Sequence, residues 1–135
     1  GVDTGPILSQ YKIPLTDNTC STELYDSVNN AHVNLMTQII PEILEGNVKL
    51  QEQNNADATE WVGRTPKDGE IDFNDSVITA ERLVRATTKP YPGAYIIMNN
   101  KKHIIWKAKL VQEKTENLCL SFKDGVLECL AWEEE

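Results

Sequence analysis

The sequence lacks any long apolar run. Its longest unbroken apolar stretches span only a few of the 135 residues, as in Ala94-Tyr95-Ile96-Ile97-Met98, whereas a membrane-spanning helix needs about 20. No basic segment followed by an apolar one marks a secretory signal. The composition, 40% apolar and 25% charged, is ordinary for a soluble globular chain. We therefore expect no membrane span and a cytoplasmic location.

Cysteine is also scarce. Cys20, Cys119 and Cys129 are widely spaced, and an odd number argues against a disulfide framework. No C-x-x-C spacing occurs, and only His32 and His103 could assist as ligands, so a zinc site is not expected. The pattern predicts reduced thiols and no bound metal.

Basic residues are nearly missing from the first half. Residues 1–63 hold Lys12 and Lys49 against nine acids, whereas residues 64–135 hold eleven basic side chains against twelve acids, for a total of −8. Binding to a phosphate backbone requires clustered Lys and Arg. The acidic half is thus a poor candidate for nucleic-acid contact, while the second half could still present a local basic face.

The apolar spacing of the first half predicts strand, helix and strand. Ile7 to Leu15 is typical of a strand, and Val48 to Glu52 alternates weakly as a second one. We expect the helix to kink or restart at Pro41 and to stop at Gly46. Its apolar stripe recurs every three or four positions and comprises Leu24, Val28, Ala31, Leu35 and Ile39.

The second half predicts one helix and two hairpins. After a polar linker, Asn74-Asp75-Ser76 offers caps for a helix over Val77–Thr87. Two hairpins follow, turning at Asn99-Asn100 and at Lys123-Asp124-Gly125. The economical arrangement is a small barrel or meander with one helix packed on it. The predicted strands are Ala94–Met98, Lys102–Val111, Leu118–Phe122 and Val126–Trp132.

Strict alternation along the second of these strands predicts two unlike faces. Trp106 falls on the more apolar side, which we expect to be buried. His103, Lys107 and Lys109 fall on the other side with Ile105. We interpret these basic residues as a solvated face in preference to a nucleic-acid site.

The most informative acid is Asp3, which precedes a Thr-Gly-Pro turn and an apolar run starting at Ile7. Such an acid is often only a turn former, because Asp bonds its own backbone two residues on. A lone carboxylate also cannot perform acyl transfer, which needs a base for the attacking amine and donors for the oxyanion. The spacing alone favours the turn.

Two further segments are distinctive. Arg64-Thr65-Pro66-Lys67-Asp68-Gly69 combines a rigid bend with a turn, and Pro90-Tyr91-Pro92-Gly93-Ala94 forms a tight corner after Leu83-Val84-Arg85-Ala86. Each alone indicates structural punctuation. Together with Asp3-Thr4-Gly5-Pro6, in this order and spacing, they resemble the second half of the methionyl-tRNA formyltransferase-like family, over Asp3 to about Trp132.

The resemblance implies a role for Asp3. In folate-dependent formyltransferases, an Asp in such a loop works with an Asn and a His from an earlier Asn-x-His-x-Ser-x-x-Pro segment. Asp3 would then be the catalytic acid that orders a water or the imidazole, and Arg64 a substrate or anion contact. Asn30-Ala31-His32 is not that segment, because it lacks the Ser and Pro and lies mid-helix, where residues two apart diverge.

The resemblance also implies an architecture and an activity. Residues 1–52 would end an α/β formyltransferase domain as a strand-helix-strand remnant, residues 53–69 would be a linker, and residues 70–135 would form an OB-like open β-barrel. The class is α+β. The parent activity is transfer of a formyl group from 10-formyltetrahydrofolate to a primary amine, either methionyl-tRNA or a nucleotide-linked amino sugar, and the acidic charge favours the sugar slightly.

We expect the chain to be inactive alone, with the Asn and His partners upstream of Gly1 and the remnant leaning on the barrel, on the missing catalytic half or on another copy. The alternative is a binding module whose barrel holds RNA, a sugar nucleotide or a protein. Exposed aromatics would favour RNA, because bases stack on them. The candidates are Tyr91, Tyr95, Phe122 and Trp132.

Overall fold

A computed structural model describes residues 3–135, so Gly1 and Val2 at the start of the predicted active-site loop lie outside the described residues. The chain divides into two compact units. Within the described range, the first unit comprises residues 3–15 and 24–63, and the second comprises residues 16–23 and 64–135. No helix within residues 3–135 is both long and apolar enough to cross a membrane.

Helix α1 (Ser21–Glu45) follows the predicted apolar stripe. Ala31 in that stripe is buried, and the other four stripe residues are half-buried. The helix ends at Gly46 as predicted, where a φ of 70° is left-handed and the Asn47 N–H bonds to the Glu42 carbonyl at 2.9 Å. The helix does not restart at Pro41 but continues through it to Glu45. A proline removes only one backbone donor, and the last turn tolerates that loss here.

The strands predicted on either side of α1 are not confirmed. They reduce to one antiparallel bridge, in which Ile7 and Gln51 exchange backbone hydrogen bonds of 2.8 and 2.9 Å. A 3₁₀ turn at Asn55–Asp57 follows, capped by Asn54. A strand is stabilised by its ladder partners, which the apolar pattern of one segment cannot reveal.

The second unit contains a four-stranded antiparallel sheet that curls into a half-barrel. The strands are β1 (Ala94–Met98), β2 (Lys101–Val111), β3 (Cys119–Phe122) and β4 (Gly125–Glu134), in the order β1-β2-β4-β3. Asn99 and Asn100 have φ values of 54° and 61°, as the predicted tight hairpin turn requires.

Helix α2 (Val77–Thr87) begins and ends where the sequence predicts. The Ser76 hydroxyl accepts a hydrogen bond from the Thr79 N–H at 3.1 Å, and the Asp124 carboxylate accepts one from the Val77 N–H at 2.9 Å. The helix buries one apolar stripe against the sheet. The buried core cluster comprises Ile71, Val77, Ala80, Val84, Ala94, Ile96, Ile105, Leu120, Leu127 and Cys129.

The predicted faces of β2 are partly wrong. His103 and Ile105, assigned to the solvated side, are 4% and 0% exposed. The pairing of β2 with β4 shifts register around Trp106, so the strand does not alternate strictly. His103 pairs with Ile96 of the core and packs against Trp132, with ring centroids 5.5 Å apart. The basic patch therefore loses its histidine.

Candidate functional site

Asp3 lies in a loop held by one distant side chain. The Gln53 amide donates to the Asp3 carbonyl at 3.0 Å and to the Gly5 carbonyl at 2.7 Å. Asp3 itself has a φ of 62°, a left-handed conformation that is uncommon outside glycine. Its side chain is exposed. The loop thus presents the carboxylate outward on a backbone fixed from nearly 50 residues away.

A cavity of about 330 Å³ adjoins this loop. Its lining is mostly polar side chains from residues 3–10 and 51–58, and it includes no histidine. Small-molecule ligands and cofactors usually bind in mostly apolar pockets. These residues therefore do not by themselves form a pocket for the folate donor that the resemblance implies. Asp3 can accept a hydrogen bond or a proton here, but the imidazole and oxyanion donors of acyl transfer are not among its described neighbours.

Arg64 precedes a 3₁₀ turn, Pro66–Gly69, at the start of the second predicted motif. The Asp68 carboxylate accepts from the Thr65 N–H at 2.6 Å and from the Thr65 hydroxyl at 3.0 Å. These bonds, aided by Arg64, hold the pKa of Asp68 below its usual value. The Arg64 side chain is 72% exposed and lies 3.9 Å from Asp68. It is accessible to solvent, but no described neighbour forms a pocket with it, and its role as a substrate or anion contact stays a prediction.

The two glycine-containing motifs meet in the structure. A Cβ on Gly69 would lie 2.7 Å from the Gly93 carbonyl oxygen. Gly93 has a φ of 87°, and a Cβ there would lie 2.4 Å from Cγ2 of Ile104. Directly afterwards, the Ile71 N–H donates to the Tyr95 carbonyl at 2.9 Å. Both glycines are thus required by close packing, and the structure gives these motifs an architectural role.

Arg85, in the segment between these motifs, fastens residues 16–23 to α2. Its Nε donates to Glu81 at 2.7 Å, and a terminal nitrogen donates to the Thr19 carbonyl at 2.8 Å. The Ser21 hydroxyl donates to the Thr88 carbonyl at 2.8 Å. Sequence reasoning missed this role. The i,i+4 spacing of Glu81 and Arg85 was the available signal, but it could not reveal Thr19.

Two of the four aromatic residues predicted to stack on RNA bases make contacts within the protein instead. Phe122 stacks on Phe73 with centroids 5.3 Å apart. The Tyr95 hydroxyl donates to Glu70 at 3.2 Å, and burial together with that carboxylate raises the pKa of Tyr95. Of the four predicted stacking candidates, Tyr91 and Trp132 keep substantial exposure, at 50% and 43%. They do not constitute the continuous stacking platform that single-stranded RNA would favour.

A buried carboxylate, Glu128 on β4, is a further feature that the sequence reasoning missed. Its side chain is 4% exposed, and Lys109 pairs with it at 2.9 Å. Asn117 and Thr115 donate to its other oxygen at 2.6 and 2.8 Å. These three contacts, led by Lys109, lower the pKa of Glu128 to about 2. The carboxylate anchors the loop between β2 and β3.

No group of three or more His, Cys, Asp and Glu side chains within residues 3–135 could hold a metal ion. The described residues therefore offer an acidic loop, an exposed arginine and a half-barrel as candidate functional features. Together these features describe a small α+β domain in which two glycine-containing motifs pack against each other.

Comparison with known proteins shows what this domain is similar to. Residues 64–127 match the family model described as formyl transferase, C-terminal domain. The bifunctional polymyxin resistance protein ArnA of Wigglesworthia glossinidia brevipalpis is 35% identical over 130 residues, which is 95% of this chain and 20% of that protein. Residues 64–127 thus correspond to the C-terminal domain of formyl transferases, and nearly the whole chain is similar to a part of ArnA.

Solved structures share the fold. The N-formyltransferase from Helicobacter canadensis, in complex with folinic acid and dTDP-3-aminofucose, has a TM-score of 0.65 at 20% identity, over 96% of this chain and 51% of that one. Methionyl-tRNA formyltransferase from Clostridium thermocellum has a TM-score of 0.63 at 20% identity, over 100% and 51%. The chain thus spans about a fifth of the curated relative and half of each of these structures.

Proposed function

We propose that this chain is the C-terminal portion of a formyltransferase that uses 10-formyltetrahydrofolate to formylate a primary amine. The observation that carries the proposal is the 35% identity to ArnA over 130 residues, a stretch long enough to include both units. The structural neighbour in complex with folinic acid supports a folate donor. In this assignment, residues 1–52 end the catalytic domain, residues 53–69 link it, and residues 70–135 form an OB-like barrel.

Asp3 is the catalytic acid in this proposal. Its carboxylate is exposed at the edge of the 330 Å³ cavity, and Gln53 fixes its backbone. An acid so placed can orient an imidazole or a water and so favour proton removal from the attacking amine. It would act together with an Asn and a His that the described residues do not bring to this cavity, so we expect the 135-residue chain to be inactive alone.

The amine that we favour is a nucleotide-linked amino sugar. The chain carries a net charge of −8, whereas RNA binding draws its affinity from clustered cations. Phe122 already stacks on Phe73 and Tyr95 bonds to Glu70, so two of the four candidates for stacking on RNA bases are engaged elsewhere. The complex with dTDP-3-aminofucose shows that a protein of this fold has been captured with such a sugar. Arg64, 72% exposed, would contact the substrate's negative charge.

The test is a transfer assay with 10-formyltetrahydrofolate and a panel of amine acceptors, on the protein in its full genomic reading frame and on the 135-residue chain. We expect transfer to an amino sugar nucleotide by the former and none by the latter. In the active form, Asp3→Asn should lower kcat about 100-fold or more, because it removes a proton-transfer group. Glu52→Gln, on the same cavity, is the matched control and should retain activity.

Two results would contradict the proposal. Formyl transfer by the 135-residue chain alone would remove the need for outside partners. Equal activity of the Asp3→Asn and Glu52→Gln variants would remove Asp3 from catalysis. A salt-dependent gel shift with tRNA, absent with the sugar nucleotide, would favour the alternative of an RNA-binding barrel.

We also propose a cytoplasmic location, in keeping with three free cysteines.

A further inference from the structure

The first unit has almost no hydrophobic core of its own. Among residues 3–135, the buried hydrophobic side chains all lie in the second unit, with the single exception of Ala31. Burial of apolar surface is the main favourable contribution to folding. The first unit therefore lacks the interior that would hold α1 in place.

Helix α1 also exposes a second apolar stripe. Val33, Met36, Ile40 and Ile43 follow one another at spacings of three, four and three residues, so they share one side of the helix. Their side chains are 43–66% exposed, and the neighbouring Leu44 is 82% exposed. We call these five residues the second stripe. It lies beside the first one, which comprises Leu24, Val28, Ala31, Leu35 and Ile39.

The two stripes together make α1 apolar over more than half of its circumference, because successive residues are about 100° apart. A helix at the surface of a globular protein needs only one apolar stripe about 100° wide, whereas a helix that is apolar on most sides is buried. The width of the apolar surface therefore indicates that α1 is covered on two sides in the functional protein.

The middle of α1 carries no charged side chain of the kind that keeps a helix face in water. Residues 27–41 contain no Asp, Glu, Lys or Arg, although 25% of the chain is charged. The core of a protein interface is depleted of charged residues and enriched in residues such as Met. The second stripe fits this description, and its partner surface must also be apolar and uncharged.

A second copy of this chain is a poor partner for the second stripe. Residues 1–63 hold two basic side chains against nine acids, so pairing two copies through α1 would bring two acidic units together. Like charges brought together across an interface oppose association. The partner is therefore sought outside this chain.

The solved structures of similar fold contain a further part that this chain does not match. The chain covers 51% of the Helicobacter canadensis protein and 51% of the Clostridium thermocellum protein, so about half of each lies outside the similar region. If the chain is a portion of such an enzyme, as proposed above, a comparable part of the same protein is available to cover α1.

We propose that the second stripe of α1 is an interface with the remainder of the formyltransferase domain, and that α1 is held firmly only when this interface forms. The partner is an uncharged apolar face of that remainder. This inference rests on the proposed function for the existence of the remainder. It requires no role for Asp3 and no particular amine.

Hydrogen exchange of backbone amides tests the interface. It is measured on the protein in its full genomic reading frame and on the 135-residue chain. We expect the amides of residues 27–44 to exchange about tenfold or more slowly in the full protein, because covering the stripe suppresses local opening. The amides of α2 are the internal reference and should exchange alike in both proteins, because α2 packs on a core that lies within this chain. Equal exchange of residues 27–44 in the two proteins would overturn the proposal.

Charge variants of the full protein locate the interface on one side of α1. Val33→Glu and Ile40→Glu each place a charge in the second stripe, and they should lower the melting temperature and speed the exchange of residues 27–44 about tenfold or more. Asn34→Glu and Gln38→Glu add the same charge at exposed positions outside both stripes, and they should behave as the wild type does. Equal effects of all four variants would contradict an interface at the second stripe.

Two further outcomes separate this proposal from its neighbours. A dimer of the 135-residue chain that Val33→Glu dissociates, with no protection of α1 in the full protein, would assign the stripe to a second copy and overturn the proposal. Protection of α1 in a full protein that transfers no formyl group would support the interface and contradict the proposed activity.

Discussion

The backbone of Gly69 lies so close to that of Gly93 that a Cβ on Gly69 would stand 2.7 Å from the Gly93 carbonyl oxygen. Two motifs separated in sequence by a helix thus form one packed junction. The adjoining parallel bridge of Glu70 with Tyr95 extends it. This junction explains why both segments carry glycine. Gly69 must permit the close approach of the Gly93 backbone, and Gly93 has a left-handed φ and lies against the Ile104 and Trp106 side chains.

Replacing Gly69 by alanine should therefore destabilise the fold. The added methyl must displace a backbone carbonyl, and overpacking of this kind costs about 1–3 kcal/mol. Urea denaturation should show a lower midpoint with an unchanged slope. Gly63→Ala is the matched control, because a Cβ at Gly63 meets nothing within 4 Å. Equal midpoints for the two variants would show that the junction is loose.

Arg85→Lys should also lower stability, although it keeps the charge. A lysine ammonium cannot donate to Glu81 and to the Thr19 carbonyl with the fork geometry of a guanidinium. The loss of one charge-assisted hydrogen bond should cost about 1.5–3 kcal/mol, measured as a lower urea midpoint. Arg82→Lys, on the same helix but exposed, should leave the midpoint unchanged. An unchanged urea midpoint in the Arg85→Lys variant would contradict the role of Arg85 in holding residues 16–23 to α2.

The buried Glu128 predicts a specific pH dependence. Its pKa is lowered from 4.5 to about 2 in the folded protein, so folding is favoured by its ionised form. This contribution is fully present above pH 4.5 and is lost as the pH falls towards 2. Glu128→Gln should thus be less stable than the wild type at pH 7, and the difference in melting temperature should shrink by pH 3.

Glu116→Gln provides the control for that measurement. Glu116 is exposed in the same loop, so its substitution should change the melting temperature little at either pH. A gap between Glu128→Gln and the wild type that stays constant from pH 7 to pH 3 would mean that the carboxylate's charge is not what stabilises the loop.

Gln53 should act as a positioning residue for Asp3. Its amide holds the Asp3 and Gly5 carbonyls, and Gln53→Leu would release the loop while keeping the volume. If the proposed formyl transfer through Asp3 holds, kcat should fall about tenfold or more, because a small displacement of a reacting group is costly. Gln10 lines the same cavity but makes no hydrogen bond to the loop among the described residues, so Gln10→Leu should have little effect. Loss of activity in both variants alike would point to the cavity and not to the loop.

Local chemistry made parts of this fold predictable. Helix α2 lies where its cap, Ser76, and the prolines after Thr88 place it. The Asn99-Asn100 turn follows from two residues that tolerate left-handed backbone. The glycine stop of α1 at Gly46 is likewise a local signal.

The errors have a common cause, which is dependence on distant partners. Ile7 to Leu15 has the pattern of a strand, but it finds only Gln51 as a partner. Strict alternation along the strand predicts that His103 lies on the solvated side. The register shift near Trp106 and the pairing of His103 with Ile96 place it in the interior instead. The loop of Asp3 was recognised by resemblance, whereas its support by Gln53 could only be seen in three dimensions.

The attachment of residues 16–23 by Arg85 has a practical consequence for expressing this domain. The stretch recognisable as a C-terminal domain spans residues 64–127, but the unit that packs together also includes residues 16–23 and the end of β4. A protein trimmed to the recognisable stretch would strip Arg85 of Thr19 and cut β4 short beside β2. Family boundaries drawn along the sequence are therefore unsafe places to cut this protein.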